Sequence, residues 1–245
     1  MVQKQVKPVF LKARWQYLAM VNYTVPPILL VPYVPKGTEL DLWDGQAMVS
    51  LVGFLFNDTR VFGIRWPFHT HFEEVNLRLY IKRKDGNIWK RGVAFVSEIV
   101  PKHAIALIAN QLYNEHYRYM PMRHTLVKSA ENLLIEYGWK HHGYWNSLQM
   151  TAGKEPLHVE EGSAEWFIFE HYWGYNQLNP TQTVEYGVEH PRWMIYPIKD
   201  YKLDCDIAAV YGSEWVDALS APPHSVMLAY GSEVIVRKPV VLEVG

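Results

Sequence analysis

The stretch Glu73-Glu74-Val75-Asn76-Leu77-Arg78-Leu79-Tyr80-Ile81-Lys82 alternates with a period of two: Val75, Leu77, Leu79 and Ile81 fall on one side of an extended chain. Glu74, Asn76, Arg78 and Tyr80 fall on the other, which is unusually polar for a strand with so apolar a partner face. Asp85-Gly86 then separates this strand from the apolar residues 88–99, and a tight hairpin loop needs the positive φ that glycine adopts without strain. Upstream, residues 46–56 form an apolar run that reads as a buried strand. The chain is therefore expected to be built around a sheet, with one polar strand face inside or beside it.

Composition agrees. Hydrophobic residues make up 49% of the 245 and aromatic residues 14%, with 10 Trp and 16 Tyr, a balance that suits strands and a sizeable core. The 24 basic and 25 acidic residues nearly cancel, so no general electrostatic pull toward nucleic acid or an anionic membrane is expected. Cys205 is the only cysteine and stands between Asp204 and Asp206, which disfavour a thiolate; it reads as structural. The basic first twelve residues lack the apolar segment of a secretory signal, and the apolar run 26–35 is too short to span a bilayer and holds Pro26, Pro27, Pro32 and Pro35. A cytoplasmic protein is the expectation.

Neither a linker nor a fixed-period repeat interrupts residues 1–245, so one domain is expected. Pro101 suits a first helical turn, and Ile105, Ile108, Ala109 and Leu112 continue at helical spacing toward His116, with Pro121 as a stop. Residues 126–128, 132–139 and 143–151 read as an antiparallel meander. A short helix capped by Ser163 is expected over 163–169 and another around 214–219, with strands near Tyr172 and at 193–199, 206–211 and 225–236.

Three groups could carry chemistry. Alternate side chains on one strand face lie about 6.5–7 Å apart, so Glu74, Asn76, Arg78 and Tyr80 could converge on a small ligand. Arg78 would grip a carboxylate through its planar fork, and Glu74 would serve as acid or base if burial raised its pKa; a solvent-exposed charged face is the plain alternative. His69, His71 and Glu73 share a face if the strand begins early, and with Gly63 they come near the cupin metal pattern, but the glutamate follows the second histidine too closely. No metal is assigned, and His141-His142 point to opposite faces of a strand. The basic run Lys82, Arg83, Lys84, Lys90 and Arg91 reads as a solvated hairpin tip. No phosphate loop, nucleophile elbow or redox cysteine pair is present, and no cofactor is expected.

In the order of its motifs the chain resembles the YqjF-like family, a branch of the acetoacetate decarboxylase-like superfamily. The motifs are Asp44-Gly45 with its following strand, Glu74-x-Asn76-x-Arg78-x-Tyr80, Gly92-Val93-Ala94-Phe95, Tyr119-Met120-Pro121, Phe169-Glu170-His171-Tyr172 and His190-Pro191-Arg192-Trp193. The resemblance implies an α+β, mostly β fold: a curved antiparallel sheet or barrel enclosing a pocket, with a few short helices and the polar strand face turned inward. The decarboxylases use a lysine just after the helix and its proline to form a Schiff base; the matching positions here are Met122 and Arg123, neither of which can form an imine. Lys128, on the following segment, has no neighbour that would depress its pKa. The chain also has Asn110 and His171 where the YqjF-like pattern has arginine, and Met122 where it has an aromatic.

The expected ligand-binding set is Glu74, Asn76, Arg78, Tyr80, Tyr113 and Met122. The leading expectation is a small-molecule-binding protein whose central pocket takes an anionic or carbonyl-containing ligand. One alternative is a lyase- or hydrolase-like enzyme that acts on a keto or carboxylic acid without a Schiff base, with Glu74 as its acid or base. The other is a structural or interaction protein. Oligomeric state is left open by the residues.

Overall fold

The central strands are buried on both faces, one turned to the interior of a closed ring of strands and the other covered by a second sheet. The computed structural model describes residues 7–102 and 117–244. Its strands are β1 (Val9–Val25), β2 (Glu39–Leu40), β3 (Ala47–Val61), β4 (Phe72–Asp85), β5 (Ile88–Val100), β6 (Tyr117–Tyr119), β7 (Met122–Lys128) and β8 (Asn132–His141). They continue with β9 (Tyr144–Gly153), β10 (Trp173–Asn179), β11 (Gln182–Glu189), β12 (Ile195–Tyr196), β13 (Ile198–Asp204), β14 (Ser225–Arg237) and β15 (Val240–Glu243).

Pairing runs β14-β1-β3-β4-β5-β10-β11, and β11 pairs with β14 again through Val188↔Val236 and Glu189↔Ile235, which closes the ring. The sheet is mixed rather than wholly antiparallel, because β5 runs parallel to β10 and to β6. β2, β6, β12 and β15 add to this sheet, and β13-β9-β8-β7 form a separate four-stranded antiparallel sheet, the expected meander with β13 added at its edge. Tyr137, Trp139, Leu148 and Met150 of that sheet pack on Ala19, Val21, Leu51, Leu77 and Leu79 from the outer face of the ring. The Tyr137 hydroxyl donates to the Tyr17 carbonyl at 2.7 Å, tying the two layers together. The alternation of β4 is thus resolved: its apolar side meets the second sheet, and its polar side faces the interior of the ring.

The β4–β5 hairpin forms as expected, with Asp85 opposite Ile88 and Gly86 at φ +60°. Ser163 caps the one-turn helix Ala164–Phe169 by accepting from the Trp166 N–H at 3.1 Å. Two expectations are corrected. Residues 206–211 are not a strand: Asp206 accepts from the Ala209 N–H at 3.0 Å and so caps a short helix, Ile207–Tyr211. The basic hairpin run is not simply solvated either, because Lys90 is 9% exposed and lies 2.6 Å from Glu185 and 2.8 Å from Asp85. β1 carries no clean period of two, since Tyr17 adopts φ +52° and the register shifts between Gln16 and Ala19. The helix expected over 101–116 lies, from residue 103 on, outside the described residues.

Candidate functional site

Alternation on β4 and its neighbours places the polar residues around a cavity of about 390 Å³ inside the ring. Glu74, Asn76 and Arg78 line it from β4, and Phe54 and Glu98 line it from the adjoining strands β3 and β5. Glu74 stands opposite Phe54, and Asn76 opposite Glu98, in the strand register. All of these are buried: Glu74 is 3%, Asn76 2%, Glu98 1% and Arg78 9% exposed.

Glu74 is held from two sides. Asn76 Nδ2 donates to its Oε1 at 3.0 Å, and the Tyr117 hydroxyl donates to its Oε2 at 3.1 Å. Asn76 Oδ1 is left buried without a hydrogen-bond partner among the described residues, and so is Arg78 Nε. The Arg78 guanidinium has Met20 Sδ at 3.8 Å from Nη2 and the Tyr80 ring 5.7 Å away, but no carboxylate within ion-pair distance among the described residues. A buried cation with no ion-pair partner is costly, although Glu74 and Glu98 line the same cavity farther off.

Two histidines complete the polar end, and neither was singled out from the sequence as a ligand contact. His171 lines the cavity, yet both of its ring nitrogens are directed at protein: Nδ1 is 2.8 Å from the Phe167 carbonyl and Nε2 is 3.2 Å from Asp41 Oδ2. The Asp41 contact falls outside strict hydrogen-bond geometry. Burial, with the positive charge of Arg91 adding, lowers the His171 pKa despite the Asp41 contact. Burial pushes the Asp41 carboxyl up, but His171 and Arg91 outweigh that and hold it below the usual range. His190 stacks on Trp193 at 4.1 Å, and its Nδ1 donates to the Pro191 carbonyl at 2.9 Å, which leaves Nε2 without a hydrogen-bond partner among the described residues. Its pKa is lowered to about 4, first by burial and then by the positive charge of Arg78, and the ring stays neutral near pH 7.

The other sequence candidates divide. Tyr80 shares the inner face, but it packs beyond the cavity wall, with its hydroxyl 2.5 Å from Ser50 Oγ and its ring 4.8 Å from that of His171. Met122, on β7, packs against the outer core instead of the cavity. Tyr113 lies outside the described residues. His69 lines the cavity, whereas His71 bonds Asn57 at 2.9 Å and Glu73 bonds His124 at 2.6 Å, so the His-x-His run does not converge. Among the described residues no cluster of three His, Cys, Asp or Glu could hold a metal ion.

No lysine lines the cavity among the described residues. The Arg123 guanidinium stacks over the Trp145 ring at 4.2 Å. The Lys128 pKa is raised, first by its hydrogen bond with Tyr17, which is the reverse of what an imine-forming amine needs. Burial, with Asp206 and Asp204 adding, pushes the Cys205 thiol up to about 12. No helix among the described residues is long and apolar enough to cross a membrane.

Comparison with known proteins gives the family and agrees with the fold. Residues 12–233 match DUF2071, a family described as an uncharacterized conserved protein. The uncharacterized protein YqjF of Bacillus subtilis (strain 168) is 24% identical over 189 residues, 76% of this chain and 74% of its own length. Among solved structures, the enduracididine biosynthesis enzyme MppR complexed with pyruvate superposes with a TM-score of 0.65 at 12% identity, covering 100% of this chain and 93% of that one. The same enzyme with HEPES buffer bound superposes with a TM-score of 0.66 at 12% identity, covering 96% and 88%. Acetoacetate decarboxylase from Legionella pneumophila gives a TM-score of 0.64 at 13% identity, covering 98% and 90%. At such identities the likeness is one of fold, and the fold is acetoacetate decarboxylase-like.

Proposed function

The chain belongs to the DUF2071 family, and from that premise and the chemistry of its cavity we propose that it binds a small organic anion with Arg78 as the anchor. The observation that carries this is Arg78, 9% exposed, which lines the cavity with no carboxylate within ion-pair distance among the described residues. An ionised ligand group supplies the missing counter-charge through a bidentate contact. Asn76 Oδ1 and His190 Nε2 add acceptors beside it, which suits a ligand carrying a hydroxyl or another donor near its anionic group. The neighbours that share the fold include one enzyme solved both with pyruvate, a carboxylate, and with HEPES buffer, a sulfonate. That parallel is at the level of fold and adds weight only because Arg78 offers the matching chemistry here.

Measuring thermal stability against a panel of carboxylic and keto acids tests the reading, because a ligand selective for the native state raises its melting temperature. Wild type is expected to be stabilised by at least one acid, and Arg78→Ala by none. A panel without any stabilising acid overturns it. A second reading, catalysis on a keto or carboxylic acid, is favoured by the buried Glu74 carboxyl fixed between Asn76 and Tyr117. It requires turnover that Glu74→Gln abolishes while the variant keeps its fold and its ligand-induced stabilisation.

A further inference from the structure

The inner face of the ring changes character along its length. Reading along β4 from the β3–β4 loop, the inward positions are Phe72, Glu74, Asn76 and Arg78; on β3 the residues opposite them are Phe56, Phe54, Val52 and Ser50. Phe72 and Arg78 are six residue steps apart, roughly 20 Å of strand. One end of this span is polar and closed: beyond Arg78, the rings of Tyr80, Phe167 and His171 pack at 4.8 to 5.7 Å from one another. The other end is aromatic and open. Phe56 stacks on Phe72 at 4.6 Å, Trp15 meets Phe54 and Phe56 edge-on at 5.2 and 5.6 Å, and the wall continues to Phe62 and Trp66, which are 55% and 54% exposed. Thr59, His69 and the Trp15 indole interrupt this wall, and Glu74, opposite Phe54, stands where it meets the polar end.

A keto acid of three or four carbons would fill only the polar end. A dry cavity of about 150 Å³ accommodates benzene, so the 390 Å³ here has room for a body two to three times that size. The geometry points to an amphipathic monocarboxylate as the ligand, its carboxylate on Arg78 and its hydrophobic tail running along the aromatic wall toward Phe62 and Trp66. This rests on the anion-binding reading above and adds the class of molecule. Burying the tail against Phe54, Phe56 and Phe72 supplies the affinity, while Arg78 sets the orientation.

Equilibrium binding of straight-chain acids from butyrate to dodecanoate, with the primary alcohol of each length as a neutral control, tests the inference. Affinity is expected to rise roughly fourfold per added methylene until the cavity is filled, with each acid bound more tightly than its alcohol. Arg78→Met is expected to erase the difference between acid and alcohol. Trp66→Ser, at an exposed position that leaves the core intact, is expected to weaken the longest acids and spare butyrate. Pyruvate and butyrate binding as tightly as decanoate, with the Arg78 dependence intact, overturns the amphipathic ligand and leaves the anion site standing. No acid of any length binding overturns both.

Discussion

The charge of Arg78 reaches His190, and both residues make expectations that a melting curve can check. Because Arg78 is buried without a counter-ion among the described residues, Arg78→Met replaces a costly charge with an apolar side chain of similar length. The unliganded variant is expected to gain about 1 kcal/mol or more, a rise of roughly 2–4 °C in Tm, while losing any stabilisation by acids. His190 has a folded pKa of about 4 against an ordinary value of 6.5, and His171 is shifted in the same direction. The unfolded chain therefore binds more protons than the folded one between those values, so stability is complete above pH 6.5 and falls as the pH drops toward 4. Melting temperatures measured from pH 7.5 to 4.5 should follow that slope, and His190→Gln should flatten part of it. If the variant keeps the full slope, the buried-imidazole assignment fails. The polar strand face, Glu74 to Tyr80, was legible from alternation alone. The orphaned state of Arg78 was not, since it depends on which distant side chains come near.

β5 is the element on which ring closure turns. It pairs in parallel with β10 through Trp173↔Gly92 and Gly174↔Val93, and a Cβ on Gly92 would come within 2.5 Å of the Trp173 carbonyl oxygen. A backbone cannot swing aside as a flexible side chain can, so Gly92→Ala is expected to cost about 1–3 kcal/mol, a fall of roughly 2–12 °C in Tm. Differential scanning calorimetry decides it, and an unchanged Tm would mean the two strands pair less closely than this. Local signals served well where an element satisfies itself: the Gly86 turn and the Ser163 cap both form where the residues indicated. They misled at 206–211, whose apolar Ile207-Ala208-Ala209-Val210 suits a strand until the Asp206 cap is counted. β1 went unmarked for a different reason. The left-handed Tyr17 breaks its alternation, and burial on both faces from Leu18 to Tyr23 hides which side is inner.

Strands with ring neighbours on both sides should resist opening more than those at an edge. β3 and β4 lie between paired strands, whereas β7 ends the second sheet and β15 pairs only with β11. Amide hydrogen exchange is expected to be slowest in β3 and β4 and faster in β7 and β15, and equal protection throughout would contradict this layering. The order of residues was sufficient for a β-rich chain with a polar strand face, a hairpin at Gly86 and no imine-forming lysine at the two positions after Pro121, because period, turn chemistry and side-chain type are local properties. Closure of the ring through Val188 and Val236, the burial of Lys90 on Glu185, and the gathering of Arg78, His171 and His190 around one cavity required the folded chain. Those groups come from strands and loops far apart in sequence, and contacts of that kind leave no pattern in any single segment.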